Sequence, residues 1–174
     1  MGGMETLTHD SLAEAAPVDF DGFYALEYRP LLRLAYGLTG EGGAAEELVQ
    51  DTMLRVLRHW RRVSSYDKPG AWARRVLLNL ATSRARRRST EARALRRLET
   101  AHETSDGSTD RAAVRAAIRT LPTDEAHVIA LHYLEDMAVA GIAQLLERPE
   151  GTVKTLLYRA RKTLAAQLAE EDDE

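Results

Sequence analysis

Basic and hydrogen-bonding side chains recur at helical spacing near the carboxyl end of the chain. The apolar residues of this segment follow at i, i+4, i+7, i+11 and i+15, so they share one helix face: Val153, Leu157, Ala160, Leu164 and Leu168. At about 100° per residue, the opposite face carries Lys154, Thr155, Tyr158, Arg159 and Lys162. Phosphates attract such cations and base edges meet such donors, which predicts a helix that binds duplex DNA. A surface helix whose basic face meets only water is the alternative.

A short helix is expected just before this one. Pro149 cannot continue it, Gly151 permits an unusual backbone angle, and Glu150 or Thr152 can cap the later helix. Its packing residues are Ile142, Ala143, Leu145 and Leu146. Helices predicted at residues 110–121 and 124–134 supply a core through Val114, Ile118, Leu121, Val128, Leu131 and Leu134. The order of elements favours a helix-turn-helix domain.

A second polar row belongs to a helix predicted from Ala71 onward. Its members lie at i, i+4, i+8 and i+11: Arg75, Asn79, Ser83 and Arg86. The opposite face is apolar, with Trp72, Val76, Leu77 and Leu80, so Trp72 is interpreted as a core residue rather than a stacking platform. Arg84, Arg86, Arg87 and Arg88 are too concentrated for an ordinary helix end. Phosphate contact is favoured over a solvated charge run.

A third polar face is predicted on a helix over residues 44–62, which would pack through Val49, Met53, Val56, Leu57 and Trp60. Its polar residues begin with Glu46, Glu47, Gln50 and Asp51 and end with Arg55, Arg58, Arg61 and Arg62. Acids near the amino end and bases near the carboxyl end complement the helix dipole. The alternative is that this face docks on a protein partner.

The charge is distributed very unevenly, although the net charge is only -3. Residues 52–97 hold 14 Lys or Arg and 2 acids, whereas the rest of the chain holds 10 bases and 25 acids. The basic band makes a polyanionic partner plausible. The chain contains no cysteine, and its five histidines are scattered without a metal-binding or catalytic spacing, so no metal, cofactor or enzymatic activity is expected. With no secretory leader and no long apolar span, a cytoplasmic protein is expected.

The sequence predicts an all-α fold of two small helical domains joined by a flexible linker. The expected segments are a disordered tail at 1–18, a first domain at 19–98, an acidic linker at 99–109, the helix-turn-helix domain at 110–168 and an acidic tail at 169–174. Within the first domain, the first helix runs from Phe20, bends near Pro30 and ends at glycines 40–43. A loop over residues 63–70 follows the helix predicted over residues 44–62.

Four stretches together resemble the extracytoplasmic-function (ECF) sigma factors of the sigma-70 family, which are promoter-specificity subunits of bacterial RNA polymerase. They are residues 31–40, residues 45–55, residues 71–81 with the arginine run, and residues 151–154 with 159–162. Each stretch alone is a weak signal, but their order and spacing are specific. The resemblance covers residues 19–168.

The resemblance implies a role for each polar surface. The residues that would dock on the clamp helices of the largest polymerase subunit are Glu47, Gln50, Asp51 and Arg55. The residues that would bind and melt the minus-10 element are Ser64, Ser65, Tyr66, Asp67 and Lys68 in the loop, then Arg75, Asn79, Ser83, Arg86 and Arg87. The residues that would read the minus-35 element are Thr152, Lys154, Thr155, Tyr158, Arg159 and Lys162. The implied partners are core polymerase and promoter DNA, with an anti-sigma factor left open.

Three features depart from the family pattern. Glu147 stands where the helix-turn-helix turn usually has glycine, so a rearranged turn is expected. Thr155 and Leu156 replace the frequent Ser-Arg pair, which removes one phosphate contact. Residues 137–141 lack the usual helix-start residues, so weak capping is expected there. A helix-turn-helix repressor or activator that works without polymerase is the runner-up, but it leaves the first domain's polar surfaces unexplained.

Overall fold

The computed structural model describes residues 19–95 and 109–171, and this part of the chain contains eight helices and no strand. The helices are α1 Phe20–Thr39, α2 Gly42–Arg58, α3 Trp60–Val63, α4 Pro69–Leu95, α5 Thr109–Thr120, α6 Thr123–Tyr133, α7 Val139–Leu146 and α8 Glu150–Glu171. The all-α prediction is confirmed. The predicted tail at 1–18, linker residues 99–108, residues 172–174 and the side chain of Leu168 lie outside the described part.

Helices α1 to α4 form the first domain. Asp19 caps α1 by accepting a hydrogen bond from the Gly22 N–H at 2.8 Å. Gly40 ends the helix in the left-handed conformation, with φ at 71°. The helix continues through Pro30. The most deeply buried large side chains of this domain are Leu31, Leu34, Leu48, Val49, Val56, Val63, Leu77 and Leu78.

Three boundary predictions in this domain are wrong. Gly42 and Gly43 open α2 instead of ending α1, and Pro69 already begins α4. The helix predicted over residues 44–62 is interrupted at His59, whose ring Nδ1 lies 2.8 Å from the Arg55 carbonyl oxygen. This break turns the short α3 toward α1, where the Trp60 ring packs against Phe23 at a centroid distance of 5.1 Å. Helical periodicity alone carries no signal for such a break.

Helices α5 to α8 form the second domain. Its core contains Ile118, Leu121, Val128, Leu131, Ile142, Val153 and Leu157. Two predicted core positions are wrong, because Val114 here and Leu57 in the first domain are 41% and 48% exposed. Helix α7 begins after Ala138 without a side-chain cap, so the predicted weak capping is confirmed.

The turn between α7 and α8 keeps its left-handed residue. Glu147 has φ at 53° and ψ at 46°, so the predicted rearrangement does not occur. The Arg148 N–H donates to the Ala143 carbonyl at 2.9 Å, which closes the end of α7. A side chain in this conformation costs about 1 kcal/mol relative to glycine. The turn is therefore less stable with glutamate than with glycine, and no hydrogen bond within the turn accounts for the glutamate side chain.

The two domains pack against each other, which the sequence did not predict. Helix α1 contacts α5 and α6, and α4 contacts α7. Leu134 lies directly on the backbone of the buried Gly37, where even an added Cβ would overlap its Cδ1 atom. On α5, the Arg115 guanidinium lies 4.7 Å from the centroid of the Tyr36 ring. The described domains therefore form one closed body.

Candidate nucleic-acid and polymerase interfaces

Helix α8 presents the predicted DNA-binding face to solvent. Val153, Leu157 and Ala160 are buried against the rest of the second domain. The opposite face exposes Lys154, Thr155, Tyr158, Arg159 and Lys162, and Tyr158 is 67% exposed. Thr152, at the start of the helix, is half-buried. The predicted recognition surface is therefore assembled on one helix face and is accessible to a duplex.

The polar row of α4 is only partly accessible. Asn79, Ser83 and Arg86 are exposed, as is Arg87, but Arg75 is held by the second domain. Its Nε and Nη2 atoms donate to the Leu145 carbonyl at 3.0 and 2.6 Å. Its Nη1 atom lies 2.7 Å from Glu147 Oε1. Arg75, the first member of the predicted row, is thus engaged inside the protein.

The predicted base-capture loop lies between α3 and α4. The Ser65 hydroxyl donates to the Arg62 carbonyl at 2.7 Å, and Tyr66 is half-buried under the Arg62 guanidinium. Lys68 Nζ donates to Gln144 Oε1 at 3.4 Å, which is another contact between the domains. A cavity of about 250 Å³ lies beside the loop, lined by Phe23, Leu26, Glu27, Trp60, Ser64, Pro69 and Gly70. The loop is exposed at Ser64, Ser65, Asp67 and Lys68.

The predicted docking residues form one exposed surface on α2. Glu47, Gln50, Asp51 and Arg55 are all exposed. The same face includes Leu54 and Leu57, which are about half exposed and supply apolar area that sequence reasoning did not assign to it. Charged residues around exposed leucines are typical of a protein-binding surface.

Arg84, which the sequence placed in the arginine run, lies beside this surface and pairs with two of its acids. Its Nη2 atom lies 2.7 Å from Asp51 Oδ2, and its Nη1 atom lies 3.4 Å from Glu47 Oε2. Arg84 therefore turns toward α2 and braces the acids of the docking surface. No local pattern could have shown this, because the ion pairs join two different helices.

Arg74 forms a further ion pair, and the sequence analysis did not assign this arginine a role. Its guanidinium lies 2.8 Å from Glu27 Oε2 and 2.6 Å from Glu135 Oε2, and all three side chains are largely buried. Burial lowers the pKa of Arg74, but the two carboxylates outweigh that effect and raise it. The Glu135 side chain is only 3% exposed, and its Oε1 atom has no hydrogen-bond partner, with Arg33 Nη2 3.7 Å away. The first and second domains are thus joined by a buried ion pair.

His127 lies on the second domain's side of the same contact. Burial is the main reason that its pKa is lowered to about 4, Asp124 opposes that shift and Arg148 adds to it. Its Nε2 atom lies 3.4 Å from the Thr82 hydroxyl of α4. His127 is therefore neutral at pH 7 and forms part of the packing between the domains.

Within residues 19–95 and 109–171, no group of three or more acidic or histidine side chains is arranged to hold a metal ion. The helices in that part of the chain also include none with the length and apolar character of a membrane span.

Comparison with known families agrees with this geometry. Residues 23–91 match Sigma-70 region 2, and residues 111–164 match Sigma-70 region 4. The chain is 32% identical over 149 residues to the ECF RNA polymerase sigma factor SigL of Mycobacterium tuberculosis, a match that covers 80% of this chain and 83% of the relative. The chain belongs to the ECF sigma factors. It is a sigma factor that directs promoter recognition and transcription initiation.

Other relatives extend the similarity over most of this sigma factor. The RNA polymerase sigma-E factor of Streptomyces antibioticus is 27% identical over 163 residues, covering 92% of this chain and 91% of the relative. Among solved structures, the sigma factor RpoE of Bartonella quintana, determined in complex with the anti-sigma factor NepR, is 25% identical with a TM-score of 0.71. That match covers 87% of this chain and 97% of the other.

Proposed function

We propose that this sigma factor docks on the clamp helices of the largest polymerase subunit through α2, holds the melted minus-10 element on α4 and the adjoining loop, and reads the minus-35 element through α8. The protein performs no chemistry of its own and acts in the cytoplasm as a subunit of polymerase. The first domain spans residues 19–98 and the second spans residues 110–168.

One observation carries this proposal most strongly. Two separate polar faces are exposed, one on α8 and one on α4, and the loop before α4 borders a cavity of about 250 Å³ through Ser64. A flipped base costs only a few kcal/mol to unstack, and it is then read through its edges by polar groups and stacking. A helix-turn-helix repressor would need the α8 surface alone. The additional surface supports a protein that binds an opened strand.

The docking role rests on the composition of α2. Glu47, Gln50, Asp51 and Arg55 surround the half-exposed Leu54 and Leu57, so the patch combines charge with apolar area. A dipole effect alone accounts for the order of charges along the helix but not for exposed leucines in the middle of the charged face. A protein partner explains both features.

Run-off transcription tests the proposal directly. Core RNA polymerase is incubated with the protein and a pool of randomised promoters, and the transcribed templates are sequenced. We expect start sites that depend on the added protein and share two conserved elements. If the protein selected the same DNA equally well without polymerase, and its addition produced no transcripts, the sigma assignment of these surfaces would be refuted in favour of an autonomous DNA-binding protein.

A further inference from the structure

The contact between the domains covers one end of the proposed minus-10 surface. Leu145 and Glu147, at the end of α7, occupy all three guanidinium nitrogens of Arg75. Further along α4, Asn79 and Arg86 line a cavity of about 500 Å³ whose opposite wall includes Leu146 and Arg148. A strand laid along the α4 row would therefore collide with the α7–α8 turn.

Glu147 contributes charge as well as volume to this obstruction. Its carboxylate meets Arg75 at 2.7 Å, and arginine binds carboxylate and phosphate with the same fork of donors. The side chain is 74% exposed, so this pair contributes little to holding the domains together. Its carboxylate instead places a negative charge where a DNA phosphate would approach. The glutamate at this left-handed position thus has an electrostatic role across the interface.

The contacts that hold the domains together include the Arg75 bonds to the Leu145 carbonyl, the packing of Leu134 on Gly37 and a buried ion pair. Arg74 and Glu135 are both largely buried, and their shortest contact is 2.6 Å. One oxygen of this pair is not satisfied, because Glu135 Oε1 is buried without a hydrogen-bond partner and Arg33 Nη2 lies 3.7 Å away. A buried carboxylate oxygen in this state favours any arrangement that returns it to water. The interface therefore combines a close ion pair with one unsatisfied buried oxygen.

The α8 face is not covered by this contact. Lys154, Tyr158 and Arg159 remain exposed in the closed arrangement, in contrast to Arg75. Closure therefore affects the two nucleic-acid surfaces differently. Duplex binding through α8 is compatible with the closed form, whereas single-strand binding along α4 is not.

We propose that the contact is an autoinhibitory clasp, in which Arg74–Glu135 holds the second domain over α4 and Glu147 takes the place of a DNA phosphate on Arg75. The inference rests on the proposed minus-10 role of α4. Separation of the domains exposes the complete row. The clasp keeps the free protein from binding single strands.

The absence of cysteine from the sequence makes the clasp directly measurable. Ala25 on α1 and Ala165 on α8 are exposed alanines in different domains, so each can be replaced by cysteine and spin-labelled. The distance distribution is then measured by pulsed electron paramagnetic resonance without DNA or polymerase. The test variant is Glu135→Gln combined with Glu147→Gly, which removes both carboxylates and relieves the left-handed turn. The matched control is Asp21→Asn combined with Glu46→Gln, which removes two exposed acids that form no ion pair with the described residues.

We expect the test variant to shift the distances toward separated domains. Its affinity for a single-stranded oligonucleotide of mixed sequence should rise about tenfold, because binding is limited by the fraction of open molecules. Its affinity for a duplex oligonucleotide should match that of the control. The Gly37→Leu variant, whose Cβ already overlaps Leu134 of the other domain, should open the chain by steric overlap and give the same result. Circular dichroism verifies that each variant is folded.

Unchanged distances in both opening variants would overturn the clasp. Equal gains for single-stranded and duplex probes would also overturn it, since they would reflect only the lost negative charge. Opening without a gain in single-strand affinity would overturn the inhibitory role. In that case, run-off transcription with the double variant Asn79→Ala and Ser83→Ala decides whether the proposed function fails too. Loss of transcription would keep the minus-10 assignment of α4, and unchanged transcription would remove it.

Discussion

Replacing Arg74 by methionine should weaken the closed protein substantially. The change keeps most of the side-chain volume but removes three charged hydrogen bonds to carboxylates, at 2.8 Å to Glu27 and at 2.6 and 2.8 Å to Glu135, and a fourth to the Gly70 carbonyl at 3.1 Å. Each such bond contributes about 1.5–3 kcal/mol, and a buried carboxylate that loses its partner costs about 3–5 kcal/mol. Glu135 regains water when the domains separate, which limits its share of the loss, whereas Glu27 belongs to the same domain as Arg74 and loses its partner in either arrangement. We therefore expect the free energy of unfolding to fall by about 3 kcal/mol, which is the lower end of that range.

Urea unfolding followed by circular dichroism at 222 nm measures this loss. The control is Arg29→Met, an exposed arginine of α1 that forms no ion pair among the described residues, and it should change the free energy of unfolding by less than about 0.5 kcal/mol. Adding Glu135→Gln to Arg74→Met should recover at least half of the loss, since the stranded charge is then gone. A loss below about 1 kcal/mol for Arg74→Met, or no recovery in the double variant, would refute this account of the buried pair.

Three further predictions concern the other surfaces. Asp51→Arg should lower the affinity for core polymerase at least about tenfold with little loss of stability, because the Asp51 side chain is 49% exposed. Arg84→Met removes the ion-pair partner of Asp51 but keeps its carboxylate, so this control should retain binding. Equal losses of affinity for both variants in a polymerase pull-down titration would assign Asp51 a purely structural role. Asn79→Ala with Ser83→Ala should slow promoter opening, measured by permanganate footprinting, more than closed-complex formation, and equal effects on both steps would contradict contacts to the melted strand. His127 has its folded pKa lowered to about 4 against an unfolded value near 6.5, so the unfolded state binds more protons between these values and stability falls as pH drops through this window. Between pH 7.5 and 5.5 the free energy of unfolding, measured in urea, should fall by about 1 kcal/mol more in the wild-type protein than in His127→Gln. That variant keeps the charged groups around the histidine, which are Asp124, Arg148, Arg75, Arg86 and Glu147. An identical dependence of stability on pH in the two proteins would show that burial does not shift the pKa of this histidine.

Helices with a clear apolar period were predictable almost to the residue. The predictions for α5 and α6 were each shifted by one residue, and the exposed face of α8 carries the five residues assigned to it. Their signal is local, because a periodic apolar face requires only that the helix pack on something. The same logic misplaced Leu57 and Val114, which lie on apolar faces but have no neighbouring helix to bury them.

Contacts between distant parts of the chain were not predictable in the same way. Arg75 and Glu147 are 72 positions apart, and Arg74 and Glu135 are 61 apart. No spacing rule links residues at such separations, so the sequence indicated two free domains where the structure has one closed body. Glu147 did give a signal, as the residue least suited to its turn. Its explanation required the partner that tertiary structure brings to it.

The contact between Gly37 and Leu134 has an evolutionary consequence. Because a Cβ at position 37 would occupy the space of the leucine tip, substitutions at the two sites should covary wherever closure is preserved. A homologue that gains bulk at the first site should lose it at the second. In groups of homologues where the two sites vary independently, the two domains should not pack together and should tumble separately. This pair of positions therefore distinguishes homologues with packed domains from homologues with separate ones.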